Sequence, residues 1–284
     1  MKLKDYQEAE ILPAMLLFNK RLTPEDREEV REITLQVDDP NLQVEPGQSI
    51  GVIAPGTQEF GHAEHYRLYT VADLPNHSTP DITVVSLCVK RCNYIDEFSG
   101  ERVHGIASNY LCDLQPGDQL RVNGPFGVPF TTPDNSDDLV LICAGTGIAP
   151  FRAFIKKLYR EGGDRTGKVW LFHGAMTGLE MLYANEEDDD LTQYYDRETF
   201  SAFEALSPRP SFADEIAMDY ALEERAAQIW EMLQGPGTRV YVAGQEKILG
   251  ALNRIFQIEA GSAEAWTDFK ARLIAEGRWQ ELMY

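Results

Sequence analysis

The sequence predicts two domains, an antiparallel β-barrel followed by an α/β domain built on a parallel sheet. The chain has 284 residues, which exceeds the usual size of a single domain. Its first half contains short β-like runs separated by turns, whereas its second half alternates between β-like and helix-like segments. Short strands between turns are typical of barrels, and alternation of strand and helix is typical of parallel sheets.

The predicted strands of the first half differ in how they are recognised. One run alternates between apolar and polar residues, one follows a Pro-Gly turn, and one is long and rich in β-branched residues. These three runs are residues 32–37, 48–54 and 81–89. A fourth run, residues 120–123, precedes a Gly-Pro-Phe-Gly turn at 124–127.

The second half begins after a polar, turn-rich stretch at residues 131–138. Strands are predicted at 139–144, 169–174 and 239–243, and helices at 151–161 and 220–233. We therefore predict a first domain at residues 1–135 and a second at residues 136–284.

Composition excludes several classes of function. A formal net charge of −20 argues against nucleic acid and anionic membrane surfaces as partners. No apolar stretch is long enough to cross a bilayer, and the first residues lack the pattern of a signal peptide, so we expect a soluble cytoplasmic protein. The four cysteines have neither zinc nor iron–sulfur spacing, so we expect buried thiols and no metal site.

A glycine turn lies between the apolar run that ends at Ala144 and the predicted helix that follows. Backbone N–H groups at the start of a helix are unpaired and carry the positive end of the helix dipole, so they attract phosphate. Gly145 and Gly147 would let a pyrophosphate approach closely. The alternative is a purely structural turn, because glycine turns between strand and helix are common.

Four motifs occur in an order and spacing that resemble the plant-type ferredoxin–NADP reductases. They are Arg67-Leu-Tyr-Thr70, Leu87-Cys-Val-Lys-Arg91, Gly105-Ile-Ala-Ser-Asn-Tyr-Leu-Cys-Asp113 and Gly145-Thr-Gly-Ile-Ala-Pro-Phe-Arg152. The resemblance runs from about residue 46 to residue 284. It implies an FAD-binding β-barrel of the ferredoxin-reductase type, followed by a Rossmann-like domain that binds NADP.

The resemblance also implies the residues that hold FAD. Arg67 would pair with the pyrophosphate, Tyr69 would pack on the isoalloxazine, and Tyr94 would stack on the adenine. Thr70 stands where the family usually has a serine near flavin N5, and Ser108 matches a position that hydrogen-bonds the diphosphate. The other residues expected at the cofactors are Leu68, Cys88, Val89, Lys90 and Ala107.

In the second domain, the resemblance places the nicotinamide nucleotide over Gly145, Thr146 and Gly147. Thr146 would lie near the nicotinamide, and Lys90 would reach toward the phosphates of the nucleotide. The segment that contains Ala243 and Gly244 would approach the nicotinamide.

The carboxyl end reads as an extended tail, and the resemblance implies that its last residue, Tyr284, covers the flavin as a gate. Thr70, Tyr284 and Glu281 are the expected catalytic residues. Two positions depart from the family pattern. Ala243 stands where the family has a cysteine, and Leu282 stands where it has a glutamate, with Glu281 one place earlier in this chain. Adjacent residues of an extended segment face opposite ways, so Glu281 need not substitute for that glutamate.

Coenzyme choice depends on the group that faces the adenosine ribose. The family recognises the 2′-phosphate of NADP with a Ser-Arg pair, and this chain offers the offset pair Ser207 and Arg209. Asp214 and Glu215 follow, and carboxylates repel a phosphate but accept hydrogen bonds from a ribose hydroxyl. The family resemblance places NADP ahead of NAD.

The predicted activity is electron transfer through FAD between NADP(H) and a one-electron protein carrier, such as ferredoxin or flavodoxin. An acidic carrier would need a basic patch on this acidic chain, and the candidates are Lys90, Arg91, Arg152, Lys156, Lys157, Arg160, Lys270 and Arg272. Two alternatives stay open. One is an NADH-dependent reductase component of a multicomponent oxygenase, and the other is a flavin-binding regulatory subunit whose catalysis has lapsed.

Overall fold

A computed structural model describes residues 9–56, 63–77, 81–161, 165–207 and 218–284. The chain divides into two compact units. One comprises residues 1–130 and 149–156, and the other comprises residues 131–148 and 157–284. Residues 149–156, in the helix that follows the glycine turn, thus group with the first unit.

The first unit contains an antiparallel sheet of six strands among the described residues. The strands are β1 (Leu12–Arg21), β2 (Val30–Val37), β3 (Ser49–Pro55), β4 (Glu64–Thr70), β5 (Thr83–Lys90) and β8 (Gln119–Phe126). Their order in the sheet is β4-β3-β8-β1-β2-β5. A bridge pairs Val71, just after the edge strand β4, with Leu87 of the other edge strand β5. This pairing curls the sheet into a barrel, and the predicted antiparallel β-barrel is confirmed.

Two smaller elements complete this unit. Strands β6 (Asn93–Ile95) and β7 (Arg102–His104) form a hairpin, and helix α1 (Ile106–Asp113) packs against β3, β4 and β5. The barrel core is aliphatic, with side chains such as Leu16, Ile33 and Val122 fully buried. Burial of these side chains fixes which face of each strand points inward.

The second unit contains a parallel sheet of five strands within the described chain, in the order β11-β10-β9-β12-β13. The strands are β9 (Asp138–Ala144), β10 (Val169–Ala175), β11 (Phe200–Leu206), β12 (Thr238–Gly244) and β13 (Trp279–Met283). The helices are α2 (Ile148–Glu161), α3 (Met218–Glu223), α4 (Ala226–Gln234), α5 (Lys247–Glu259) and α6 (Ala263–Ala275). The predicted α/β domain with a parallel sheet is confirmed.

Three local predictions were wrong, each for a tertiary reason. The carboxyl end is not a tail, because residues 279–283 pair with β12 as strand β13. The helix predicted at 220–233 is two helices, since Arg225 leaves the helical conformation and its guanidinium lies 4.2 Å from the centroid of the Phe203 ring. The turn predicted at 124–127 is partly strand, because Phe126 pairs with Ser49.

Candidate functional site

Strand β4 presents the side chains predicted to hold the flavin. Arg67 is exposed and donates from Nη1 to the carbonyl oxygen of Tyr66 at 2.9 Å, while Tyr69 and Thr70 are half-buried. The Thr70 hydroxyl lies 3.1 Å from that of Ser49 on the neighbouring strand. Since side chains alternate along a strand, Arg67 and Tyr69 share one face of the sheet.

The Tyr69 phenol is held neutral. Burial raises the pKa of Tyr69 well above its ordinary value of 10, the thiols of Cys92 and Cys112 add to the rise, and Arg67 opposes it. A neutral phenol keeps its proton, so it can donate a hydrogen bond, and its ring offers a flat apolar face.

The amino end of helix α1 forms a second part of this site. Within the described chain, no side chain caps the helix at Gly105, so its first amides have no side-chain acceptor. A Cβ placed on Gly105 would lie 2.9 Å from the carbonyl oxygen of Cys92 and 3.1 Å from the hydroxyl oxygen of Ser108. The buried Ser108 hydroxyl accepts from the Cys92 amide at 3.1 Å. Gly105 therefore permits close packing of the helix start on the segment at Cys92, and the unpaired amides at that start suit a phosphate.

The structure places the other predicted flavin-side residues less favourably. Cys88, Val89 and Ala107 are buried in the barrel wall or the helix, so a cofactor could meet chiefly their backbone, and Leu68 is half-buried. Lys90 forms an ion pair with Glu28. Tyr94 lies on the β6–β7 hairpin and is exposed.

In the second unit, the glycine turn joins β9 directly to α2. Residues Gly145–Gly147 form a 3-10 turn, so the helix begins at Ile148 rather than at the predicted residue 151. Gly145 has a φ of +55°, and apart from its chain neighbours no described atom lies within 4 Å of a Cβ placed on it. The same test on Gly147 puts a Cβ 2.3 Å from the carbonyl oxygen of Ala243. Gly145 therefore leaves room for a ligand, whereas Gly147 permits close packing of the turn on β12.

The carboxyl terminus lies beside this turn. The Tyr284 hydroxyl is 3.1 Å from the Thr146 hydroxyl, and the Tyr284 amide donates to the carbonyl oxygen of Gly244 at 3.2 Å. Strand β13 carries Tyr284 to this position by pairing with β12, so Thr146, Gly244 and Tyr284 meet at the carboxyl end of the sheet.

The two departures from the family pattern lie in one row of the sheet. Ala243 is buried and pairs in register with Leu282 on one side and with Cys143 on the other. Burial raises the pKa of the Cys143 thiol well above its ordinary value, so this neighbouring cysteine is an inert thiol.

Glu281 is held by two donors. Its carboxylate accepts from the indole nitrogen of Trp279 at 2.6 Å and forms an ion pair with Lys270. The Lys270 ammonium in turn lies 5.1 Å from the centroid of the Trp279 ring. These contacts account for Glu281 structurally, and its catalytic assignment stays a prediction.

Coenzyme recognition is only partly visible. Ser207 is buried, Tyr220 is exposed, and Met218 is buried in α3. Arg209, Asp214 and Glu215 lie outside the described residues.

The predicted basic patch needs correction. Arg152 and Lys156 are each only 5% exposed, because Asp73 accepts from Arg152 at 3.1 Å and from Lys156 at 2.7 Å. Arg91 bonds to two carboxylates, and Lys270 pairs with Glu281. Those four cations serve internal ion pairs, which spacing along one helix could not reveal.

Comparison with known proteins agrees with the cofactor expected in each of the two units. Residues 21–130 match the family described as "Oxidoreductase FAD-binding domain", and residues 141–253 match "Oxidoreductase NAD-binding domain". Among the described residues, no helix is both long and apolar enough to cross a membrane.

The chain is similar to several proteins named ferredoxin–NADP reductase. It is 33% identical to that of Picosynechococcus over 90% of this chain and 65% of the relative, and 33% identical to that of Thermosynechococcus vestitus over 95% and 72%. It is 31% identical to that of Spirulina over 90% of this chain and 88% of the relative.

The fold is similar to that of the solved ferredoxin–NADP reductase of Plasmodium falciparum, with a TM-score of 0.73 and 18% identity over 96% of each chain. Sequence and fold agree with the motifs first seen around Arg67 and Gly145, and the chain belongs to the ferredoxin–NADP reductase family of FAD- and NADP-dependent oxidoreductases.

Proposed function

We propose that this protein transfers electrons between NADP(H) and a one-electron protein carrier, ferredoxin or flavodoxin, by way of FAD. The observation that carries the proposal is the pair of phosphate cradles. One unit has the uncapped amino end of α1 beside the strand of Arg67, Tyr69 and Thr70, and the other has the open glycine turn before α2. The names of the relatives support the same activity.

The residues of the first unit fit FAD by their chemistry. Arg67 is an exposed cation, and the α1 amides with Ser108 are donors, which together suit a diphosphate. Tyr69 and Tyr94 offer flat faces for the two ring systems of FAD. Bound FAD would supply the chemistry that this activity needs, which is acceptance of a hydride and release of its two electrons one at a time. The protein's part is to hold and orient the flavin and to keep a hydroxyl, Thr70, beside it.

The second unit would bind the nicotinamide nucleotide at its glycine turn. The amides of Gly145–Gly147 would hold the pyrophosphate, and Thr146 would contact the nicotinamide end. The hydrogen bond between Thr146 and Tyr284 supports the role of Tyr284 as a gate, because it holds the terminal ring beside the turn until a nucleotide competes for that place.

The docking surface for the carrier is proposed on three cations of the predicted patch that are half-buried or exposed, namely Lys157, Arg160 and Arg272. At about 0.15 M salt the Debye length is about 8 Å, so a local positive surface can outweigh distant negative charge.

One anaerobic experiment tests the proposal against its alternatives. The purified protein, loaded with FAD, is mixed rapidly with NADPH or with NADH while the flavin band at ~450 nm is followed. We expect faster bleaching with NADPH, followed by reoxidation when oxidised ferredoxin is added.

Each other result points elsewhere. Preference for NADH with electron delivery to an oxygenase would favour the oxygenase-reductase alternative, for which buried Ser207 is the supporting observation because its hydroxyl faces little solvent. No bleaching with either nucleotide would favour the lapsed subunit. Failure to take up FAD would end the proposal.

We also propose a cytoplasmic location. All four cysteines lie in described residues and are free thiols, of which only Cys92 is exposed, and free thiols are usual in a reducing compartment. Fractionation of the source cells, with the protein detected by antibody, tests this location.

A further inference from the structure

Arg91, a candidate of the predicted basic patch, instead lies in a network of hydrogen bonds within the first unit. It directly follows strand β5, and all three nitrogens of its guanidinium donate hydrogen bonds. Nε and Nη2 donate to the carboxylate of Glu29 at 2.8 and 3.3 Å, Nη2 also donates to Asp113 at 2.8 Å, and Nη1 donates to Asn109 Oδ1 at 2.9 Å. We name these four residues the Arg91 network.

The network reaches the flavin side of the barrel through Asn109. The Asn109 side-chain amide donates to the carbonyl oxygens of Gly105 at 2.7 Å and Cys92 at 3.0 Å. The Cys92 carbonyl also accepts from the Gly105 amide at 2.8 Å, and the Cys92 amide donates to the hydroxyl of Ser108. Asn109 thus ties the segment at Cys92 to the turn that opens α1, and both carry groups of the proposed diphosphate cradle.

The charge of Arg91 is already matched, so it is a poor partner for phosphate. The side chains of Arg91 and Glu29 are each 18% exposed, and two carboxylates face the guanidinium. Burial opposes ionisation of Glu29, but hydrogen bonds from Arg91 and Arg31 outweigh it and lower the pKa of Glu29 to about 2. The pair therefore stays charged near neutral pH. Arg67, by contrast, is exposed and donates to a neutral carbonyl, that of Tyr66.

We propose that Arg91 is a positioning residue for the FAD diphosphate, acting through Asn109 to hold the amides and the Ser108 hydroxyl at the start of α1. This inference rests on the proposed function, since it requires that the first unit binds FAD. A supporting shell of hydrogen bonds fixes the donors that touch a ligand, and loosening it weakens binding without removing a contact.

The test compares FAD binding by three apoproteins, which are the unaltered protein, Arg91→Gln and the control Arg121→Gln. Arg121 forms an exposed ion pair with Glu64 in the same unit, and neither residue is a member of the Arg91 network. Quenching of flavin fluorescence gives the dissociation constant, and the visible spectrum of bound flavin reports on the ring's surroundings at Tyr69. We expect at least about a ten-fold loss of FAD affinity in Arg91→Gln, with the visible spectrum unchanged and the control equal to the unaltered protein.

A second variant keeps the test decisive if Arg91→Gln does not fold. Asn109→Ala leaves the ion pair between Arg91 and Glu29 intact but removes the link to Gly105 and Cys92, and it should lose FAD affinity to a similar degree. Where both variants fold, the double variant should bind FAD no more weakly than the single variant that has the lower FAD affinity, because Arg91 acts through Asn109.

The outcomes separate the inference from the function on which it rests. FAD affinity within two-fold of the unaltered protein in either variant, or loss of affinity with an altered flavin spectrum, would overturn the positioning role. An unaltered protein that takes up no FAD would instead overturn the proposed function.

Discussion

Replacement of His173 by leucine should make the second unit less sensitive to acid. His173 lies on β10, in register with Cys143 on one side and Glu204 on the other, and its side chain is fully buried. In the part of the chain that the structure describes, neither ring nitrogen has a hydrogen-bond partner. A buried imidazole without partners strongly disfavours its charged form.

The expected loss of folding stability on acidification follows from the pKa shift of His173. Burial lowers the pKa of His173 from 6.5 to about 4, so between these values the unfolded chain binds a proton that the folded chain does not. Stability is therefore lost as pH falls from above 6.5 toward 4. By linkage, the move from about pH 7.5 to about pH 5 costs roughly 2 kcal/mol, and the full loss is about 3 kcal/mol.

Urea unfolding followed by tryptophan fluorescence measures this effect in the relevant unit. All four tryptophans belong to the second unit, and they are Trp170, Trp230, Trp266 and Trp279. We compare the unaltered protein, His173→Leu and the exposed control His104→Gln at both pH values. The general charge effects of acid are common to all three, so the difference between them isolates His173.

We expect His173→Leu to be at least as stable as the unaltered protein near neutral pH, because it removes two buried nitrogens that lack partners. It should also lose about 2 kcal/mol less on acidification. An unchanged pH dependence in His173→Leu, or a loss of more than about 2 kcal/mol near neutral pH, would show that the ring of His173 has a hydrogen-bond partner and would contradict the prediction.

Three further predictions concern other parts of the site. Deletion of Tyr284 should tighten nicotinamide-nucleotide binding by roughly two- to ten-fold, in proportion to a stacking energy of about 0.5–1.5 kcal/mol, and unchanged affinity in a spectral titration would contradict the gate. Asp73→Asn should lower the free energy of unfolding, followed by circular dichroism, by about 1–3 kcal/mol, because Arg152 and Lys156 lose their shared carboxylate while Arg152 keeps its ion pair with Glu32; an unchanged free energy of unfolding would argue against that cluster. Gly147→Ala should destabilise the protein more than Gly145→Ala in thermal unfolding, since only the former drives a Cβ into a backbone carbonyl of β12, and the reverse order would count against this packing.

Part of the candidate functional site follows from local pattern. The positions of Arg67 and Tyr69 on one strand face, and of a glycine turn before a helix, depend on side-chain alternation and on backbone freedom, which neighbouring residues set. The motif around Asn109 was also present in the sequence. Its place in the Arg91 network could not be predicted, because the Asn109 side chain donates to the carbonyl oxygen of Cys92, which lies 17 residues away in the chain.

Other features were beyond prediction because they depend on residues far apart in the chain. Arg152 and Lys156 resemble surface cations by helical spacing, yet both are buried. Each forms an ion pair with Asp73, which lies 83 residues before Lys156 in the chain. Tyr284 resembles the end of a loose tail until strand β13 pairs with β12.

Local pattern was enough to predict the order of barrel and α/β domain, the family motifs and the glycine turn before α2, because chain period and backbone freedom depend on neighbouring residues. Which charged side chains face solvent, and which form internal ion pairs, is set by the folded chain alone. A charge is stabilised by whatever partner the fold brings within about 4 Å, and separation along the sequence carries no information about that distance.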